Sequence, residues 1–388
     1  MQNFDFHNPT RILFGQGRVA DIGQHIPAGA RVLILVGGAS AERSGTLGRV
    51  RAALQARGLA HDTFSGIEPD PRLDTCLQAV ALARSGGFGF LLAVGGGSVI
   101  DAAKFIAAAV PFQGDPQEIL AGRRAAIEQA LPFGTVLTLP ATGSEMNDRA
   151  VILHPTRSAR LAFSSPHTYP RFSVLDPTKT YTLAPAQLAN GVVDGFVHTV
   201  EQYLTYPVGA PVQDRFAEGL LRTLIEVGPR IVTAPEPVYD DRASLMWAAT
   251  LALNGLIGVG VPQDWATHQI GHELAALHHI DHARTLALVL PAMLQERRVP
   301  KRAKLLQYAE RVWDVREGDE DERIDAAIAR TRAFFESLGV PTRLAAYRLG
   351  GETVDAVIAR LHANGLVRLG EHGDVTPEVS RRVLEAAL

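Results

Sequence analysis

The chain has little of what would place it in several protein classes. Cys76 is its only cysteine in 388 residues. That excludes internal disulfides and thiolate-rich metal sites, and it fits a cytoplasmic protein. No apolar run is long enough to cross a bilayer: "TLALVLPAML" (285–294) is about ten residues and reads as buried helix. The opening "MQNFDFHNPTRILFGQG" has no basic segment followed by an apolar stretch, so no signal peptide is expected. The net charge is only -3, and there is no basic tract or zinc-finger spacing, which argues against nucleic acid or an anionic membrane as partner. Internal repeats and low-complexity linkers are also missing. The remaining composition, 46% hydrophobic and 20% charged, is that of a globular chain long enough for two domains.

The first half alternates short apolar runs with helical patterns. "RVLILVGG" (31–38), "FLLAVGGG" (90–97), "TVLTLPATG" (135–143) and "FSVLDP" (172–177) read as strands. "TLGRVRAALQARG" (46–58) and "SVIDAAKFIAAAV" (98–110) read as helices. Near-continuous apolar strands alternating with helices indicate a parallel sheet covered on both faces. From "AQLANGVVDGFVHTVEQYL" (186–204) onward the periodicity is helical, with further helices expected over 211–226, 241–256, 301–314, 323–338 and 376–387. The expected organisation is an α/β dinucleotide-binding domain over 1–182 and an all-helical domain over 183–388.

Five of the 13 histidines fall between His268 and His282. Imidazole is the commonest metal ligand, although any single helical histidine is more often structural. His268 and His272 are spaced i, i+4 and share a helix face. His282 lies too far along for one straight helix to bring it to the same ion, so the chain must bend between them. Asp194 and His198 in "VVDGFVHTV" are also spaced i, i+4, amid apolar neighbours. A carboxylate buried there must be paired, hydrogen-bonded or metal-bound. The residues point to one site built from Asp194, His198 and two of His268, His272 and His282. Such a set suits Fe²⁺ or Zn²⁺.

Two glycine turns follow strands. In "LLAVGGGSVIDAAK" (91–104) a helix N-terminus after the glycines offers N–H groups to a phosphate. Ser98 and Asp101 have the spacing of a capping box. In "VGGASAERSG" (36–45) the acid that usually holds the adenosine ribose hydroxyls is missing directly after the glycines. Ser40 and Arg43 there would suit a 2′-phosphate, and with it NADP(H) over NAD(H). Glu42 counts against this, and a solvated turn explains the same residues.

Taken together, these motifs resemble the iron-dependent (group III) alcohol dehydrogenases. The resemblance runs through "FGQG" (14–17), "GGGSVIDAAK" (95–104), "TLPATGSEMN" (138–147), "VLDP" (174–177), "VVDGFVHTVEQYL" (192–204) and "THQIGHELAALHHIDHA" (267–283). "NGVVDGFVHTVEQY" and "PQDWATHQIGHEL" look most like the NADPH-dependent, butanol dehydrogenase-like aldehyde reductases. The resemblance implies a homodimer in which Asp194, His198, His268 and His282 hold one divalent metal. It implies that His272 stands near the nicotinamide and substrate as a proton relay, and it leaves His278 and His279 as structural residues. It also implies dinucleotide contacts at Gly38, Ser40, Gly96, Gly97, Ser98, Thr138 and Thr142, with Asn147 near the nicotinamide. The chain departs from close relatives at Met146, Asp148 and Arg149, and at Arg160, where a lysine near the cofactor is usual.

The expected reaction is hydride transfer between NADP(H) and a short- or medium-chain aldehyde or primary alcohol. Two alternatives differ in class: a metal- and NAD-dependent cyclase of the dehydroquinate synthase type, and a non-catalytic metal-binding protein. The first needs several cations around an acidic substrate, whereas the metal motifs here are flanked by small and apolar residues. Metal binding without cofactor binding would mark the second.

Overall fold

The computed structural model describes residues 1–120, 127–155 and 159–388. Two compact units form. One comprises His7–Leu183 with Pro237–Thr250, the other Met1–Phe6, Ala184–Glu236 and Leu251–Leu388.

The first unit is built on β1 (Arg11–Phe14), β2 (Val32–Val36), β3 (His61–Phe64), β4 (Phe90–Gly96), β5 (Phe133–Leu139) and β8 (Phe172–Leu175). These pair in parallel in the order β1-β8-β5-β4-β2-β3. A separate hairpin pairs β6 (Arg149–His154) with β7 (Ala159–Ser164) antiparallel. The helices are α1 (Ser40–Arg43), α2 (Thr46–Gln55), α3 (Leu73–Ser85) and α4 (Gly97–Ala109). Alternation along each strand divides the core into two layers. Leu33 and Leu35 of β2 and Leu91 and Ala93 of β4 pack with α3 and α4 residues such as Ala79 and Ile100. Val32, Ile34 and Val36, with Leu92 and Val94, pack with Leu47, Val50 and Leu54 of α2. A sheet covered on both faces can therefore be apolar at every position, which is why β2 and β4 stand out in the sequence.

The strands that the pattern did not foretell, β1 ("RILF") and β3 ("HDTF"), are the two edges of the sheet. Edge strands are half-solvated and need no continuous apolar run. The β6–β7 hairpin and α3 are likewise additional to the expected elements. α7 (Tyr239–Ala252) belongs to this unit through Thr250. Met246 joins the core layer under α3 and α4, and the Thr250 hydroxyl donates to Glu145 Oε1 at 2.5 Å.

The second unit is helical, with no strand among its described residues: α5 (Pro185–Tyr203), α6 (Pro211–Thr233), α8 (Ala266–His278), α9 (His282–Glu296), α10 (Arg302–Arg311), α11 (Glu320–Ser337), α12 (Gly351–Ala363) and α13 (Pro377–Ala386). Ala266, Ile270 and Leu274, one stripe of α8, pack on Leu288, Val289 and Ala292 of α9 and on Val357 and Leu361 of α12. The first residues join this unit because Gln2 N–H donates to the Gly260 carbonyl at 2.9 Å. No described helix is long and apolar enough to cross a membrane.

Candidate active site

The bend that the histidine spacing demanded is present. α8 is capped by His279, whose φ of 54° is left-handed, and α9 begins at His282. The reversal brings His282 back beside His268, with ring centroids 5.3 Å apart. Asp194 and His198 reach the same place from one face of α5. Around Asp194 Oδ1 stand His198 Nε2 at 3.6 Å, His268 Nε2 at 3.9 Å and His282 Nε2 at 4.0 Å. Ligands at about 2.1 Å from one ion and at tetrahedral angles stand about 3.4 Å apart. Each imidazole nitrogen is thus at about the distance from Asp194 Oδ1 that sharing one divalent cation requires. One potential ligand atom each from Asp194, His268 and His282 lies within 4.8 Å of the other two. Asp194 Oδ1 and His268 Nε2 are buried without a hydrogen-bond partner among the described residues. Buried polar atoms are rarely left so, and a cation satisfies both at once.

The electrostatics fit the same group. Burial is the main cause that lowers the His198 imidazole to about 4, opposed by the Asp194 charge. Burial likewise lowers His268 to about 3. Both rings are therefore neutral at physiological pH and keep a lone pair for a metal. Burial raises the Asp194 carboxyl, with His198 pulling the other way. A nearby cation would reverse that shift.

Glu201, absent from the sequence-derived set, completes the arrangement. It is buried one turn beyond His198 on α5, with Oε2 against His268 Nδ1. Its Oε1 accepts the Thr267 N–H at 2.7 Å. A carboxylate on Nδ1 fixes the ring so that Nε2 faces Asp194, the usual second layer of a metal-bound histidine. Its signal was in the sequence: Asp194, His198 and Glu201 are spaced i, i+4, i+7, one helix face. Trp265 is a second addition. It precedes α8 at a left-handed φ of 64°, and its indole meets His268 edge-on at 5.3 Å. His272 lies beside the group, its ring centroid 4.7 Å from that of His282. His278 and His279 end α8 and bring no atom to the group gathered around Asp194.

The nucleotide candidates all lie in the α/β unit. Gly96 ends β4 and Gly97 opens α4. A Cβ on Gly97 would sit 2.3 Å from Thr142 Oγ1, so only glycine allows this contact. The expected capping box at Ser98 and Asp101 does not form. α4 starts at Gly97, which places Ser98 inside the helix, and its hydroxyl donates instead to the Pro69 carbonyl. Asp101 accepts from the Ser144 hydroxyl at 2.6 Å and from Val151 N–H at 2.9 Å. It thereby fixes the turn that carries Thr142 and Asn147. The buried Lys104 amino group donates to Asn147 Oδ1 and to the Arg149 carbonyl, both at 2.7 Å. Burial holds that amine near 8, while Asp101 pulls it up. Thr138 lies on β5, Ser40 opens α1, and Gly38 lines a cleft after β2. Arg43 is exposed at the end of α1 and is not a residue of that cleft. Arg160, on β7, has its guanidinium on Asp70 at 2.6 Å, and Arg149 is exposed.

Comparison with known proteins identifies the family. Residues 9–177 match the family described as iron-containing alcohol dehydrogenase, and residues 188–367 its C-terminal family. The chain is 58% identical to the NADPH-dependent aldehyde reductase YqhD of Escherichia coli, over 100% of both chains. It is 40% identical to the probable NADH-dependent butanol dehydrogenase 1 of Bacillus subtilis, again over 100% of both. The substrate- and cofactor-free structure of the E. coli reductase superposes with a TM-score of 0.94 at 56% identity, covering 100% of each chain. The structure of NADH-dependent butanol dehydrogenase A from Thermotoga maritima gives 0.94 at 33% identity, covering 100% of this chain and 99% of that one. These relatives are named for alcohol and aldehyde redox chemistry, not for cyclisation. The chain belongs to the iron-containing alcohol dehydrogenase family and is an oxidoreductase of the alcohol dehydrogenase and aldehyde reductase type.

Proposed function

We propose that this enzyme reduces uncharged short- to medium-chain aldehydes to primary alcohols with NADPH, using one divalent metal held by Asp194, His198, His268 and His282. The observation that carries the reading is the gathering of three imidazole Nε2 atoms within 4.0 Å of the buried Asp194 Oδ1. When bound, the ion supplies Lewis acidity toward a carbonyl oxygen and the dinucleotide supplies the hydride. Three neutral imidazoles and one carboxylate leave a divalent site net positive, which suits a neutral carbonyl. Glu201 holds His268 in the orientation that presents Nε2. His272, beside His282, passes the proton to or from the alcohol oxygen. Backbone N–H groups at the start of α4 take the pyrophosphate, and Gly97 permits that close approach. Gly38, Ser40, Thr138 and Thr142 complete the nucleotide contacts, and Lys104 holds Asn147 for the nicotinamide.

The donor set accepts Fe²⁺ or Zn²⁺. NADP(H) preference is supported by the missing acid at positions 39 and 40 and by the NADPH dependence for which the E. coli relative is named. Arg149 is exposed and on this reading is a solvated residue outside the substrate site, in keeping with an uncharged alkyl chain. The α/β unit, His7–Leu183 with the inserted Pro237–Thr250 that the expected boundary at 182/183 left out, takes the dinucleotide, and the helical unit takes the metal and the chemistry, in a cytoplasmic homodimer. The test is an initial-rate screen of aldehydes and alcohols with both nicotinamide cofactors, on protein of measured metal content. His268→Ala must lower metal content and rate together. Full metal occupancy of that variant after dialysis would refute the ligand assignment.

A further inference from the structure

A cleft of about 490 Å³ opens where β2 and β3 end, lined among others by Gly37, Gly38, Glu42, Arg51, Thr63 and Ser65. Adenosine binds at the end of such a second strand in dinucleotide folds, with the ribose 2′-position beside the residues after the glycines. Arg51, on α2, is a basic residue of this cleft. Its Nη2 donates to Thr63 Oγ1 and its Nη1 to Glu42 Oε2, each at 3.3 Å. Glu42 is 60% exposed and Arg51 37%. An ion pair so open to water contributes little, and the carboxylate can swing into solvent. A phosphate in the cleft would meet a guanidinium already aimed by Thr63, with Ser65 as a further donor, and Arg favours such two-pronged contacts.

We propose that Arg51 reads the 2′-phosphate of NADP(H) and sets the cofactor preference, with Thr63 and Ser65 as hydroxyl partners and Glu42 displaced. This rests on the NADP(H) reading above and names its determinant within the cleft.

The experiment is calorimetric titration of the metal-loaded full chain with 2′,5′-ADP and with 5′-AMP. The wild type is compared with Arg51→Gln, Arg43→Gln and Arg49→Gln, the last an exposed cation on the same helix. Wild type is expected to bind 2′,5′-ADP more tightly than 5′-AMP. Arg51→Gln is expected to lose roughly tenfold to a hundredfold for 2′,5′-ADP, the range for a hydrogen bond to a charged group. Its affinity for 5′-AMP should stay within about twofold, which also shows that the cleft is intact. Arg43→Gln should lose less than Arg51→Gln, and Arg49→Gln should change neither ligand. Undiminished 2′,5′-ADP binding in Arg51→Gln, or equal loss of both ligands, would overturn the assignment. A wild type that does not distinguish the two nucleotides would instead overturn the NADP(H) reading itself.

Discussion

The carboxylate of Glu201 meets Nδ1 of His268 in the buried interior of the helical unit, so that Nε2 of the same ring is turned to Asp194 Oδ1 at 3.9 Å. One helix thus supplies two ligand candidates, Asp194 and His198, and the residue that orients a third on another helix. Glu201→Gln keeps the shape and removes the charge. Its divalent metal affinity should fall by about tenfold to a hundredfold, the usual cost of losing such a partner. Competition with a chromophoric chelator reads this directly, without reference to activity. An unchanged affinity would mean that Glu201 serves only the fold.

Gly97 faces Thr142 so closely that an added Cβ would lie 2.3 Å from Oγ1 and 2.6 Å from Cγ2. Gly97→Ala should therefore destabilise the α/β unit by about 1–3 kcal/mol, the range for overpacking. Adding Thr142→Ala removes both colliding atoms and should recover part of the loss in denaturant unfolding. Wild-type stability in the single variant would show that the turn yields freely.

Ala39 lines the same cleft as Glu42 and Arg51. A carboxylate there repels a 2′-phosphate and accepts ribose hydroxyls. Ala39→Asp should lower kcat/KM with NADPH and raise it with NADH, by about tenfold or more in their ratio if one charged hydrogen bond is at stake. A ratio equal to that of the wild type would place the 2′-position elsewhere.

Arg149 begins β6 with its side chain exposed. Butanal should accordingly be a better substrate than succinic semialdehyde, and Arg149→Ala should alter neither kcat/KM by more than about twofold, as for most surface changes. A semialdehyde preference that vanished in Arg149→Ala would bring this cation into the substrate site.

Much of this was legible in the sequence because burial leaves strong patterns. β2 and β4 read as strands because both faces are covered, and α5 as a helix because its apolar stripe is long. The edge strands β1 and β3 lacked that pattern. His282 could be joined to His268 only by supposing a bend, and the left-handed His279 supplies it. Histidine and glycine spacing, together with the family resemblance, marked the candidate site. Glu201 and Arg51 escaped because each acts through a neighbour on a different element: His268 on α8, and Thr63 on β3. The Ser98–Asp101 spacing misled for the converse reason. The local capping pattern was outbid by tertiary partners, Pro69, Ser144 and Val151.

The most direct measurement is NADPH oxidation with butanal by one preparation taken through three states: metal-loaded, stripped by chelator, and reloaded with Fe²⁺ or Zn²⁺. The account predicts a rate that is present with about one ion per chain, lost with the ion, and restored on reloading, and it predicts that His268→Ala cannot be restored. The same rate after the metal is removed, or no NADPH oxidation with any aldehyde in loaded protein, would contradict it.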